Sequence, residues 1–190
     1  VKPQAHACFI SGPRDNLDSL MQHAKDECSV FSAGSGIGHD LSNIRGEGEP
    51  LSCGGEASGP RSFLKIYDDE AGTIKSGGKS RRAARMTSMR GGKDEAHPDV
   101  LSFIRSKVKE DKKALILMKN GYEPGMDGEA YNTVTLQNTN ISVRLDNSFF
   151  EEVEKDGNVN LRQVTDGKVV GTSKARDILK EISFGSWRIG

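Results

Sequence analysis

Between Ala71 and Lys93 the chain carries Lys75, Lys79, Arg81, Arg82, Arg85, Arg90 and Lys93, and no acidic residue. Within this stretch lies the run Lys75, Ser76, Gly77, Gly78, Lys79, Ser80, Arg81, Arg82. Glycines let a backbone approach a ligand closely, and successive N–H groups flanked by Lys and Arg can hold phosphate oxygens. A loop that touches a phosphorylated ligand and a solvated basic turn between a helix and a strand both fit this pattern. GxxxxGK[ST] is absent, so the run is not a Walker loop. A second glycine segment, Gly34-Ser35-Gly36-Ile37-Gly38, follows a predicted helix rather than a strand. That context fails a dinucleotide fingerprint, and by itself the segment is read as a helix C-cap followed by a turn.

The three cysteines, Cys8, Cys28 and Cys53, are too few and too scattered for a disulfide framework. No Cys/His cluster has zinc spacing, so a metal site is not expected. Cys8 lies in a predicted buried strand, where thiols usually act as small hydrophobes. Cys28 fits the apolar face of a helix, and Cys53 sits in a glycine-rich loop. His6, His23, His39 and His97 share no motif; His97, before Pro98, reads as a helix cap. No Ser-His-Asp or paired-carboxylate arrangement follows from spacing.

The elements that would position these groups follow from periodicity. Ala5 to Ser11 reads as a short buried strand. Asp15 reads as the N-cap of a helix whose apolar face is Leu17, Leu20, Met21, Ala24, Cys28 and Phe31. Pro60 opens a second helix and Pro98 a third. The apolar run Ala114 to Met118 predicts a buried strand, as do Asn132 to Leu136 and Asn140 to Leu145. Asp146 caps a short helix, Val159 to Val170 forms a hairpin turning at Asp166-Gly167, and Ser173 caps a last helix near whose end Trp187 packs. Strands alternate with helices, so the fold class is α/β in one domain over residues 1–190.

Composition narrows the function classes. Lys+Arg and Asp+Glu are both 27, so the net charge is zero, which argues against direct nucleic-acid binding. No stretch approaches a membrane span and no secretory signal opens the chain. A reducing, cytoplasmic setting is expected. The first residue, Val1, is read as a start within a longer protein.

Taken together, several segments resemble one family. Pro3–Ile10 (PQAHACFI), Gly34–Ser52 (GSGIGHDLSNIRGEGEPLS), Ser62–Met86 (SFLKIYDDEAGTIKSGGKSRRAARM), His97–Ile104 (HPDVLSFI) and Asn140–Val153 (NISVRLDNSFFEEV) come in the order and approximate spacing of a ribonucleotide reductase catalytic subunit. The chain most resembles the class II, adenosylcobalamin-dependent enzymes, and GTIKSGGKSRRAA is the most class-specific piece. The resemblance implies about the first half of a ten-stranded α/β barrel. It implies reduction of ribonucleotides to deoxyribonucleotides by thiyl-radical chemistry, with a cysteine pair supplying two electrons.

Residue by residue, Cys8 matches the first-strand cysteine of that redox pair. Ala7, Ser35 and Gly36 match positions lining the substrate. Asp15 matches an acid at the deoxyribose of a dNTP effector, and Arg45 an arginine at its phosphates. Lys75 to Arg82 matches the loop between the effector base and the substrate base. The helices over 15–31 and 60–74 match helices that pair across a homodimer, and the implied reductant is thioredoxin-like. The family's radical cysteine sits in an Asn-x-Cys-x-Glu pattern, which surrounds none of Cys8, Cys28 or Cys53, and the redox partner of Cys8 is absent. Cys53 stands where glycine is usual and is given no role. The chain is therefore expected to be inactive alone. The competing readings are a class I large-subunit fragment and a non-catalytic dNTP-sensing module.

Overall fold

A computed structural model describes residues 5–74, 77, 85–125 and 127–189. Four strands form a parallel sheet in the order β1 (Cys8–Ser11), β2 (Gly36–Asp40), β3 (Arg85–Arg90), β4 (Thr139–Arg144). Parallel neighbours need crossover connections. Here α1 (Leu17–Ser32) links β1 to β2, and α2 (Pro60–Thr73) lies between β2 and β3. α3 (Val100–Lys119) and the single turn α4 (Glu129–Asn132) lie between β3 and β4. Then come α5 (Asn147–Lys155), the antiparallel pair β5 (Asn158–Arg162) and β6 (Val169–Lys174), and α6 (Ala175–Ile189). The expected α/β class is what the chain adopts. No described helix is long and apolar enough to cross a membrane.

The main core lies between the sheet and its helices: Leu20, Leu41, Ile44, Leu64, Tyr67, Met89, Val100, Phe103, Phe149, Val159 and Ile178 are all buried. The helices reach it at 3- and 4-residue steps. α1 buries Leu20, His23, Ala24, Glu27 and Phe31, and α2 buries Leu64, Tyr67, Asp68 and Ala71. Two of the buried set on α1, His23 and Glu27, are polar. Long-range ties hold the connections. Asp68 accepts from the backbone of Gln137 and Asn138 and from the Thr139 hydroxyl. Glu49 accepts from Gly46, Val164 and Thr165. Burial opposes the Glu49 charge, but those backbone donors outweigh it and hold the carboxyl below its usual value. His97 does not supply the cap of α3, which is Asp99; its Nδ1 accepts from the Asp99 N–H at 3.0 Å just ahead of the helix, while Nε2 meets the Ile44 carbonyl at 2.7 Å.

Several expectations are corrected. The first strand is shorter than Ala5–Ser11 and is exposed, because it is the edge of the sheet; Ile10 is 89% accessible. Asn16, not Asp15, caps α1, accepting from Ser19 N–H at 2.9 Å, and this leaves Asp15 free for another partner. Ala114–Met118 is not a strand but the end of α3. The run continues the buried face of Val100, Ile104 and Val108 through Ala114, while Ile116 points to solvent. A short apolar run has no period of its own, so the longer helical pattern decides. Asn132–Leu136 is the end of α4 and a turn in which Leu136 adopts φ 65°. Ser173 lies within β6, and α6 begins at Ala175, whose N–H is taken by the Gly157 carbonyl. Trp187 is 78% exposed and stacks only loosely near Phe184.

Candidate functional site

The first candidate group meets at one end of the sheet. Cys8 stands opposite Gly36 in the parallel ladder, and the Gly36 N–H donates to the Ala7 carbonyl at 2.9 Å. Ser35 is buried beside them. The structure thus brings Ala7, Cys8, Ser35 and Gly36 together, with the Cys8 thiol exposed. The Gly34–Gly38 segment is only partly the turn that its glycines suggest. Gly34 turns with φ 88°, but Gly36–Asp40 is strand β2, paired on both sides by β1 and β3. Of the basic run, Gly77 is described, with its φ at 58°. A Cβ on Gly77 would stand 3.3 Å from the Gly34 Cα, so the two glycine backbones pack directly. Lys75, Ser76, Gly78, Lys79, Ser80, Arg81 and Arg82 lie outside the described residues.

The second group lies beyond the opposite ends of β1 and β2. Asp15, just before α1, meets Arg45, just after β2. Arg45 Nε donates to Asp15 Oδ2 at 2.7 Å and the Arg45 N–H to Oδ1 at 3.2 Å. Arg45 Nη1 also reaches the Pro50 carbonyl at 2.9 Å. Both side chains are about one-quarter exposed (22% and 24%). They border a cavity of about 490 Å³ whose apolar wall is Leu17, Leu20, Leu51 and Phe63. Ser52, Cys53, Glu56 and Ser58 add polar atoms. An apolar wall beside a guanidinium and a carboxylate suits a ligand with a flat or sugar-like body, a phosphate and a hydroxyl donor. Cys53 is exposed here, whereas Cys28 is half-buried, its thiol pushed up by burial and by neighbouring Glu70.

A third group was not anticipated. Glu27 from α1 is fully buried, and both its oxygens face Arg85, the first residue of β3: Oε1 accepts from Nε at 3.2 Å, and Oε2 meets Nη2. His39 Nδ1 stands 3.1 Å from Glu27 Oε1 and 3.2 Å from His23 Nε2, while His39 Nε2 meets the Thr87 hydroxyl at 2.7 Å. The Arg85 guanidinium lies 5.0 Å over the Tyr67 ring. Burial pushes both imidazoles below their usual value, so they are neutral at neutral pH. Burial alone would raise the Glu27 carboxyl, but the His39 hydrogen bond and the Arg85 charge outweigh it and hold it ionised. His23, Glu27 and His39 each offer a ligand atom within 4.8 Å of the others. Arg85 already supplies the positive charge that Glu27 needs, which disfavours a divalent cation at the same carboxylate. The one sequence signal was the i,i+4 spacing of His23 and Glu27 on a helix.

Comparison with known proteins adds the family. The model of the ribonucleotide reductase barrel domain matches residues 6–182. A vitamin B12-dependent ribonucleotide reductase of Rhodopirellula baltica is 44% identical over 99% of the chain, which covers 18% of that protein. One of Agrobacterium fabrum is 36% identical over 97% of the chain, covering 20% of its length. A vitamin B12-dependent ribonucleoside-diphosphate reductase of Thermoplasma acidophilum is 32% identical over 97% of the chain, covering 21% of its length. The chain therefore spans about one-fifth of the length of the curated relatives it matches.

Proposed function

The chain belongs to the ribonucleotide reductase family, and from that premise we propose that it is part of the catalytic barrel of an adenosylcobalamin-dependent enzyme that converts ribonucleotides to deoxyribonucleotides. The observation that carries this reading is the similarity, over nearly the whole chain, to relatives named as vitamin B12-dependent ribonucleotide reductases. Cobalamin, when bound, supplies the radical. We assign no residue of this chain to that group and derive no step through it.

Several roles fall to this chain. The exposed Cys8 is one thiol of the reducing pair, its partner placed elsewhere in the parent protein. Two thiols closing to a disulfide release two electrons and two protons, which replaces a hydroxyl by hydrogen and forms one water. Ala7, Ser35 and Gly36, beside Cys8 in the sheet, line the substrate. A thioredoxin-like dithiol re-reduces the pair. The Asp15–Arg45 cavity receives a dNTP effector. Arg45 pairs with its phosphates and Asp15 accepts from a sugar hydroxyl, so the ligand replaces the contact each makes with the other. The run Lys75 to Arg82 connects effector and substrate. Leu17, Met21 and Ile66 leave α1 and α2 with exposed apolar positions, which suits pairing of these helices in a cytoplasmic homodimer.

The test is adenosylcobalamin-dependent deoxyribonucleotide formation by the full-length parent, alongside Cys8→Ser. We expect the parent to turn over repeatedly with a dithiol reductant and the variant to stop. Undiminished turnover by the variant removes the Cys8 role, and an inactive parent removes the activity.

A further inference from the structure

Helix α1 and the β2 strand with its following loop are joined twice. At the cavity, Asp15 holds Arg45. In the interior, late in α1, Glu27 meets His39 of β2. The rise of a helix puts these joints ~16 Å apart along α1. The two joints differ in kind. The outer one is partly exposed and offers its guanidinium to a ligand. The inner one is fully buried and recruits a third element, because Arg85 starts β3.

Arg85 also sits at a sensitive place. It stands opposite Ile37 in the ladder, one residue from Gly36, whose neighbour across the sheet is Cys8. The guanidinium is therefore fixed at the substrate end of the sheet, while its carboxylate partner rides on the helix that begins at the effector cavity. Glu27, His23, His39, Tyr67 and Thr87 surround it from α1, α2, β2 and β3, and Glu70 adds a carboxyl that burial holds towards its neutral form. Arg85 Nη1 is buried with no hydrogen-bond partner among the described residues.

We propose that the buried Glu27–Arg85 pair is a positioning joint that carries the state of the Asp15–Arg45 cavity along α1 to the substrate end of β2 and β3, and so helps set which ribonucleotide is accepted. When a phosphate takes Arg45, the outer tie between α1 and the chain after β2 loosens. The inner tie holds, so any rotation of α1 is delivered at Glu27 and passed to Arg85. A buried ion pair contributes little net stability, but it fixes geometry strictly, and that is what such a joint requires. The inference rests on reading the cavity as an effector site and the Cys8–Gly36 end as a substrate site.

The experiment uses the full-length parent, Glu27→Gln, and the double variant Glu27→Leu/Arg85→Met, which removes both charges together and leaves His23 and His39 to pair with each other. Product ratios from mixed ribonucleotides are measured with and without each dNTP, together with dNTP affinity and melting temperature. We expect dNTP affinity within about twofold of the parent, effector-free turnover retained, and the effector-driven change in product ratio reduced about tenfold. Should Glu27→Gln fail to fold, the double variant carries the test. Turnover that falls equally for all substrates while product ratios still follow the effector overturns the joint and leaves a structural pair. Loss of dNTP affinity in a folded variant overturns it too. A parent whose product ratios ignore dNTPs removes the effector reading itself, a separable outcome.

Discussion

Asp15–Arg45 and Glu27–Arg85 are both carboxylate–guanidinium pairs that begin on or beside α1, yet water treats them differently. The first pair is 22% and 24% exposed and borders a cavity; the second is 0% exposed on both sides. An exposed pair gains little from its own Coulomb attraction, because water competes for each charge. A ligand with better-placed charges can take either partner at small cost. A buried pair has no such alternative, and removing one partner strands the other without water. The same two functional groups therefore make an exchangeable binding site in one place and a fixed joint in the other.

The sharpest way to break this contrast is to strand a buried charge. Glu27→Ala in the full-length parent is expected to cost about 3–5 kcal/mol of stability, measured by denaturant unfolding. The double variant Glu27→Leu/Arg85→Met is expected to recover most of that loss, since no charge is left unpaired. A single variant as stable as the parent would mean that water reaches Glu27.

The next effect is a pH dependence to which the buried node contributes, alongside the buried His97, whose imidazole is also pushed down by burial. His23 and His39 have folded values pushed below their ordinary 6.5 by burial, so as pH falls below about 6.5 the unfolded chain takes up protons that the folded one refuses. Stability must then fall with falling pH. Glu27 acts in the same direction further down. Its depressed folded value contributes stability that is full above its unfolded value and lost as pH falls through the folded one. Unfolding midpoints at ~pH 7.5 and ~pH 5.5 should show the parent weaker at the lower pH, and His39→Gln should flatten that difference. An unchanged midpoint would place the imidazoles in contact with water.

The smallest effect belongs to the exposed pair. Arg45→Gln is expected to change stability by less than about 1 kcal/mol, because the pair it breaks is partly solvated. A loss as large as that of Glu27→Ala would make Arg45 a structural residue and erase the contrast.

Sequence disclosed these two regions unequally. Asp15 and Arg45 were found through segments that resemble a family, and the structure joins them at 2.7 Å across 30 residues of chain. The α/β alternation and the Asp166–Gly167 hairpin were readable from local pattern, because each rests on neighbouring residues. The buried node was not. His23 and Glu27 share a helix turn, but His39, Arg85 and Thr87 come from two strands, and only the register Ile37 to Arg85 and His39 to Thr87 brings them to one point. Ala114–Met118 failed for the opposite reason: its local apolarity concealed membership in a twenty-residue helix. Strand Gly36–Asp40 was hidden by its glycines, which weaken a strand's local signal, and it forms because β1 and β3 pair with it on both sides.

The most direct test of the contrast is equilibrium dNTP binding to the full-length parent and to Arg45→Gln, with melting temperatures recorded on the same samples. The parent is expected to bind a dNTP, the variant to bind it at least about tenfold more weakly, and both to melt within a few degrees of each other. Equal affinity in the two proteins would contradict this and place the nucleotide away from the Asp15–Arg45 cavity.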